Sequence, residues 1–586
     1  MSESSVRNLS VAWWLLIATA IAFELLSLSQ PGLAFIGGRT LGMDDANIYL
    51  RYARNVGALE GIVWNVGGER VEGFTSPLWL GICIAVLSCC QQPELILFYL
   101  NILLAALSIL AAIFTCVTAA IGRSDSTIPP VVRLRYTIVI STIATACLLW
   151  WVSQSPPFIV WNILSLLDTG IWSALVMGLA CAMTCYAVSG RSVFRHATYG
   201  GIVLLVVCRP EGGLLAAWAA VTVGVVEWVR GASFSSSLRL SSRGVALYAV
   251  SMVCVYTFRW LYFGFLLPNT YYAKVDGDRW FNLTQGWLYL RSFWETCRYV
   301  SFCAIGVISA SLLAVVAALG SRWKGSAGST SFGCTFWGCL VALGALVPLW
   351  VGGDHFNWWR FLTPFYLPVA VGLMLFTDAV LPARVSPLKR MLLASPLIFS
   401  FSILQRTPAA VRWSEFPTGN GLRLQFDIAV DAREMADHFH EIFRGNVPLP
   451  EVAVMAVGGF GERYQGPVYD LLALNNVEMA HASSDRKRFV KNHSAFNKEV
   501  FLRNKPPYLF FVADYCELSA PHKRLDVVDF YADAMQHIHH TPEFQNLYVP
   551  VVVWNERLLR DGKGLCGYAL REELASGRPI FGYRTL

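Results

Sequence analysis

The stretch ELILFYLNILLAALSILAAIFTCVTAA, Glu94 to Ala120, decides the fold. After Glu94 it carries no charge, and at about 1.5 Å per helical residue it is longer than the roughly 30 Å of hydrocarbon in a bilayer. Similar apolar runs occur at 11–29, 136–153, 171–188, 244–262, 299–319, 334–351, 364–383 and 391–404. The run 199–229 is interrupted by Arg209-Pro210-Glu211-Gly212 and reads as two helices meeting at a polar apex, either two crossings or a re-entrant hairpin. This predicts a polytopic all-α membrane domain of about eleven spans. The run Pro77–Cys90 is better suited to an interfacial or re-entrant helix.

Composition agrees. With 55% hydrophobic and 15% charged residues and a mean hydropathy of +0.49, the 586-residue chain has too few polar side chains to cover a soluble globule. A net charge of +7 on a soluble chain would suggest nucleic acid. Here the basic residues sit in short loops between apolar runs, so a topology signal is expected and no nucleic-acid partner. The stretch Val11–Leu28 lacks a small-residue cleavage site and reads as a first membrane helix, not a removed signal peptide.

Basic residues recur in every second loop: Arg7, then Arg123/Arg133/Arg135, Arg191/Arg195, Arg230/Arg239/Arg243, Arg322/Lys324 and Arg384/Lys389/Arg390. That alternation places them in the cytoplasm with the N-terminus. The opposite, extracytoplasmic side then collects the first outer loop 30–93, loop 154–170, the 209–212 apex, loops 263–298 and 352–363, and the tail. The expected domains are a membrane-embedded one over 1–404 and a soluble α/β one over 405–586, with strands near Val452–Val457 and Tyr508–Val512 and helices near Ala432–Phe443 and Val527–His540. All fifteen cysteines except Cys516 and Cys566 precede residue 340, mostly inside apolar runs. The two in the tail are compatible with a disulfide, which sequence alone does not establish.

Polar residues gather on the outer side. Asp44-Asp45 is followed by Arg51, Arg54, Glu69 and Glu72; adjacent carboxylates repel, which raises one pKa and leaves the other a proton acceptor. The pair also fits the solvated start of a helix. Further out come Asp168, Arg209 with Glu211, Asn269 and Tyr271 with Lys274, and Asp354-His355 with Arg360. Charges at bilayer-edge depth line wet cavities or pair with one another. Arg209 with Glu211 suits a structural pair; Lys274 and Arg360 suit anion binding. The tryptophans Trp280, Trp358 and Trp359 suit an aromatic belt or a sugar-stacking platform. Asp44, Asp45, Asp354 and His355 are types that ligate divalent metals, but no spacing demands one.

Together these segments resemble a known family. The run Asp44 to Asn55, then Gly61-Ile-Val-Trp-Asn65 and Glu69-Arg70-Val-Glu72-Gly73, resembles the first periplasmic loop of bacterial GT-C glycosyltransferases, notably the mycobacterial and corynebacterial terminal β-(1→2)-arabinofuranosyltransferase group. Arg209-Pro210-Glu211-Gly212, the Asn269 to Lys274 loop, Asp354 to Pro364, Tyr469-Asp470, and His493 through Lys498 add to the likeness.

The resemblance implies a GT-C fold and an inverting transfer of a sugar, D-arabinofuranose in those relatives, from a polyprenyl-phosphate donor to an envelope glycan, a lipid-linked glycan or a pilin-like protein. It makes Asp44 the candidate base and Asp45 its partner or alternative. Arg51, Arg54, Glu72, Arg209, Glu211, Asn269, Tyr271, Lys274, Asp354, His355, Arg360, His493 and Lys498 become candidate substrate-binding residues, with membrane lipid as the surrounding partner. Asp168 matches no motif of the family. A transporter or flippase for the carrier lipid is the alternative; that class usually shows repeats and charges near the bilayer midplane.

Overall fold

The computed structural model describes residues 3–37, 41–122, 129–320, 326–381, 385–400, 419–487, 489–520 and 529–586. The expected domain boundary at 404/405, and Arg123, Arg322, Lys324 and Arg384 of the basic loops, lie outside them. The chain gathers into two units, one of 1–35, 97–255 and 283–419, the other of 36–96, 256–282 and 420–586. The sequence reading kept the first outer loop with the membrane helices, whereas residues 36–96 belong to the same unit as the tail.

The first unit is helical, and within the described residues the apolar runs read from the sequence fall on helices. Length separates them. Among the described residues, six helices are long and apolar enough to cross a membrane: Ser4–Phe35, Pro93–Gly122, Pro130–Ser153, Thr169–Ser189, Gly212–Val229 and Phe234–Phe263. The pair Arg279–Thr296 and Arg298–Ala314 meets at a 111° bend and adds at most a seventh. The expected count of about eleven is larger, and runs such as Ser192–Cys208 and Pro387–Phe399 form helices of only 17 and 13 residues. Pro77–Cys89, set apart from the spans on sequence, is a helix of 13 residues.

Side-chain direction supports a multi-pass membrane protein. Leu15, Phe23 and Leu261 face outward from their helices, which is favourable only in an apolar solvent. Between the helices Gly212–Val229 and Phe234–Phe263 the contact depends on small residues. A Cβ on Gly224 would sit 2.3 Å from the carbonyl oxygen of Ser237, and one on Gly244 2.7 Å from that of Ala220. Missing side chains here let the backbones approach, as is common where lipid replaces water.

In the second unit six strands form one mixed sheet: β1 (Val452–Val454), β2 (Val468–Asp470), β3 (Tyr508–Glu517), β4 (Tyr548–Trp554), β5 (Lys563–Leu570) and β6 (Gly582–Thr585), in the order β2-β1-β3-β5-β4-β6. The β1 strand runs parallel to both β2 and β3, and the remaining pairings are antiparallel. Val452, Ala453 and Val454 are all buried, the pattern of a strand covered on both faces. Helix Gly419–Ile442 repeats buried residues at Leu422, Phe426, Ala429, Ala432, Ala436 and Phe439, a helical period. Phe439 rests on Phe510 of β3 with ring centres 4.7 Å apart. Cys516 and Cys566 are joined by a disulfide between β3 and β5.

Candidate active site

Helix Asp44–Gly57 opens with both aspartates in its first turn, where the helix dipole favours negative charge. The two carboxylates then meet different surroundings. Asp44 is buried, and its oxygens accept the backbone N–H groups of Gly458 and Gly459 at 3.0 and 2.7 Å. Burial pushes its pKa up to about 6 against the lowering effect of the Gly459 N–H, and Asp45 pushes the same way as burial. Asp45 keeps 25% of its side chain exposed, and its Oδ2 lies 3.8 Å from Lys274 Nζ. Asp470, at the end of β2, is buried as well. It accepts from the N–H groups of Leu472 and Asn475 and from Asn475 Nδ2, and burial raises its pKa to about 6, with Asp45 adding to the rise.

Short helix Asn269–Lys274 delivers Lys274. It is anchored through Asn269, whose Nδ2 donates to the carbonyls of Ala473 and Leu474 at 2.9 and 3.0 Å while its N–H donates to Glu72 O. Two further cations hold the same segment: Arg486 Nη2 donates to Tyr272 O and Lys491 Nζ to Lys274 O, each at 3.3 Å. Arg486 Nη1 is buried and has no hydrogen-bond partner among the described residues. His481 stacks between Phe265 and Tyr272, 4.2 Å from each ring centre.

Several expected ligand-binding residues are instead tied into the scaffold. Arg51 donates from Nε to Trp64 O, from Nη1 to the carbonyls of Gly461 and Tyr464, and from Nη2 to Asn65 Oδ1 and Gly466 O. All five guanidinium donors are therefore engaged. Glu72 forms a buried, two-pronged ion pair with Arg259 at 2.9 to 3.1 Å. Arg54 pairs with Glu462, which also faces Arg433 and Arg463. Tyr271 is half-buried beside Tyr272. His493 stands near Lys491 O and the Phe530 ring, and Lys498 opens helix Lys498–Asn504.

Beside Asp470 opens a polar cavity of about 350 Å³. Its lining includes the carboxylates Glu69, Glu451, Asp470 and Glu478, four asparagines, and the rings of Trp64 and Tyr469; among the described residues it has no lysine or arginine. One close approach shapes its wall. A Cβ on Gly73 would fall 1.8 Å from Asn475 Oδ1, so only glycine lets that asparagine reach Asp470.

No protein-family model matches this chain, and no curated protein matches it.

The remaining expected residues belong to the first unit and form a buried ionic group of their own. Arg209 Nη1 lies 2.8 Å from both oxygens of Asp168, and its Nε is 2.6 Å from Glu211. The expected Arg209–Glu211 pair is present, with Asp168 as the additional partner. Asp354 binds Arg360 at 2.8 Å and lies 3.3 Å from His355 Nδ1. Arg360 sits over the Phe356 ring at 4.7 Å. Trp358 and Trp359 both take positive φ, 66° and 50°, uncommon for bulky residues, and Trp358 O accepts from Trp161 Nε1.

Sequence reasoning missed Arg259, Arg486, Lys491 and Asn475, and left Asp168 and Asp470 without a role. Arg259 carried a signal, as a lone arginine in the apolar run 244–262. Arg486 and Lys491 carried none, since the Asn269–Lys274 segment they hold lies more than two hundred residues away.

Proposed function

We propose that this chain is an integral-membrane glycosyltransferase that moves a sugar from a polyprenyl-phosphate donor to an acceptor hydroxyl. The observation that carries the reading is the division of labour between adjacent aspartates. Asp44 is buried and hydrogen-bonded, whereas Asp45 is partly exposed and faces Lys274 on a segment gripped by Arg486 and Lys491. We assign the base to Asp45 and a positioning role to Asp44.

In this mechanism the Asp45 carboxylate takes the proton of the acceptor hydroxyl as that oxygen bonds to the anomeric carbon. The bond from that carbon to the phosphate oxygen breaks, and polyprenyl phosphate leaves with the electron pair. General-base assistance of this kind contributes about 10²–10⁴ in rate. Lys274, Lys491 and Arg486 Nη1, which has no hydrogen-bond partner among the described residues, supply donors for the departing phosphate. The cavity beside Asp470 suits the acceptor. Carboxylates, amides and aromatic rings recognise a neutral polyhydroxyl compound, and the absence of lining cations among the described residues disfavours a phosphate there.

The finer placement follows the same reading. We assign the fold to the GT-C type, the sugar to D-arabinofuranose, and the tail to the periplasmic side of a bacterial inner membrane, where the Cys516–Cys566 disulfide suits an oxidising compartment. The test is transfer from polyprenylphosphoryl arabinofuranose in membranes carrying the wild type or Asp45→Asn. Loss of the pentose product with Asp45→Asn at normal protein level supports the assignment, and full retention overturns it.

A further inference from the structure

We propose that His537, His539 and His540 bind a zinc ion at a site separate from the carboxylate groups described above. Helix Asp529–Ala534 ends in a tight reversal in which Gln536 and His537 both take positive φ. The amide of His537 donates to Ala532 O at 2.7 Å, and a single 3₁₀ turn, Ile538–His540, follows. This reversal gathers the three imidazoles. The rings of His539 and His540 are 3.9 Å apart between centres, His537 is 6.2 Å from each, and one ring nitrogen from each of the three lies within 4.8 Å of the others.

The surroundings resemble those of a ligand set more than those of a random surface cluster. Ile538 is fully buried and pins the turn, and His539 is buried with its carbonyl accepting from Gln545 Nε2 at 3.3 Å. Asp533 Oδ1 lies 2.9 Å from His537 Nε2. A carboxylate on one ring nitrogen orients a histidine and fixes the other nitrogen, here Nδ1, as the metal donor. His537 and His540 are exposed, so their rings can rotate to close the nitrogens to the roughly 3.4 Å spacing of a tetrahedral ion with bonds of about 2.0–2.1 Å. Three imidazoles with an open fourth position suit zinc and its neighbours, whereas magnesium and calcium prefer oxygen donors. The bound ion would clip the turn that leads through Pro542–Leu547 into β4.

The test is calorimetric titration of the full-length, tag-free chain in detergent with zinc chloride at about pH 7.5. We expect saturable binding of one ion per chain, no heat with magnesium, and a cobalt derivative with tetrahedral ligand-field absorption. Asp533→Asn should weaken binding roughly tenfold and the double change His537→Gln/His540→Gln by more. Both altered histidines are solvent-exposed, so the metal-free melting temperature of the double variant should match the wild type. Absence of saturable zinc binding, or binding unchanged in the double variant, overturns the site.

Discussion

Lys274 Nζ stands 3.8 Å from Asp45 Oδ2, while the carboxylate one residue earlier, Asp44, accepts two backbone N–H groups and has no such cation among the described residues. Adjacent residues of one helix thus present chemically different acids, one accessible and one enclosed. The mutational consequence is a split. Asp45→Asn should lower transfer by about 10²–10⁴ with little change in stability. Asp44→Asn should destabilise the chain by about 1–3 kcal/mol through loss of a buried acceptor, with activity per folded molecule falling less. Transferase rates and melting curves on the same two preparations separate these outcomes.

The cations around the Asn269–Lys274 segment should act on donor binding. Lys274→Ala and Arg486→Gln are expected to raise the donor KM, and the effect of each should shrink as salt rises, since exposed ionic attraction is screened over about 8–10 Å at physiological strength. Inhibition by free polyprenyl phosphate should weaken in parallel. Variants that lower kcat alone would point to the acceptor side instead.

What the sequence displayed and what it hid follow one physical rule. Apolar length is a local property, so each membrane-compatible helix was legible, as were β1 and the first half of β3 from their runs of valine and aromatic residues. The order β2-β1-β3-β5-β4-β6 was not, because strands of three residues carry no record of their neighbours. In the site, Asp44-Asp45 stood out through adjacency. Their distinct environments come from Gly458, Gly459 and Lys274, which lie hundreds of residues along the chain. Arg51 and Glu72 looked like ligand-binding charges for the same reason: charge is visible in a sequence, but the carbonyls and the arginine that neutralise it are not.

The Glu72–Arg259 pair offers a direct check of that scaffold role. Both side chains are buried, so Arg259→Met alone leaves an uncompensated carboxylate and should cost about 3–5 kcal/mol. Adding Glu72→Met should restore much of the loss, because removing both charges also removes the desolvation penalty. A double-mutant cycle by chemical denaturation measures the coupling. If Glu72 instead binds substrate, the double variant regains stability but loses donor affinity.

The pH dependence of stability follows from Asp44 and Asp470, whose burial raises both to about 6 from the ordinary aspartate value of 3.8. A raised folded-state pKa means that the folded chain holds the proton more tightly than the unfolded one. The associated stabilisation is complete below about pH 4 and is lost as pH rises through about 6, on the order of 3 kcal/mol per group. Other carboxylates titrate in the same window, so the useful quantity is a difference. The unfolding free energy of wild type minus that of Asp470→Asn should fall between about pH 4 and 6 and stay level above. A difference that rises across this window would contradict the burial that raises the Asp470 pKa.

The disulfide supplies a test of stability and compartment together. Cys516 and Cys566 close 50 residues of chain, and a cross-link of that span stabilises by about 4 kcal/mol in the chain-entropy view. Cys516→Ser/Cys566→Ser should therefore lower the melting temperature of the detergent-solubilised chain, while either single change leaves one thiol that mass spectrometry can find by alkylation. Alkylation also reads the compartment. With the tail outside the cytoplasm the bond forms in the cell, so a maleimide added under denaturing, non-reducing conditions should leave both cysteines unlabelled and reductant should expose both. Labelling of the pair without reductant would place the second unit in a reducing compartment, where the proposed use of an extracytoplasmic lipid-linked donor could not operate.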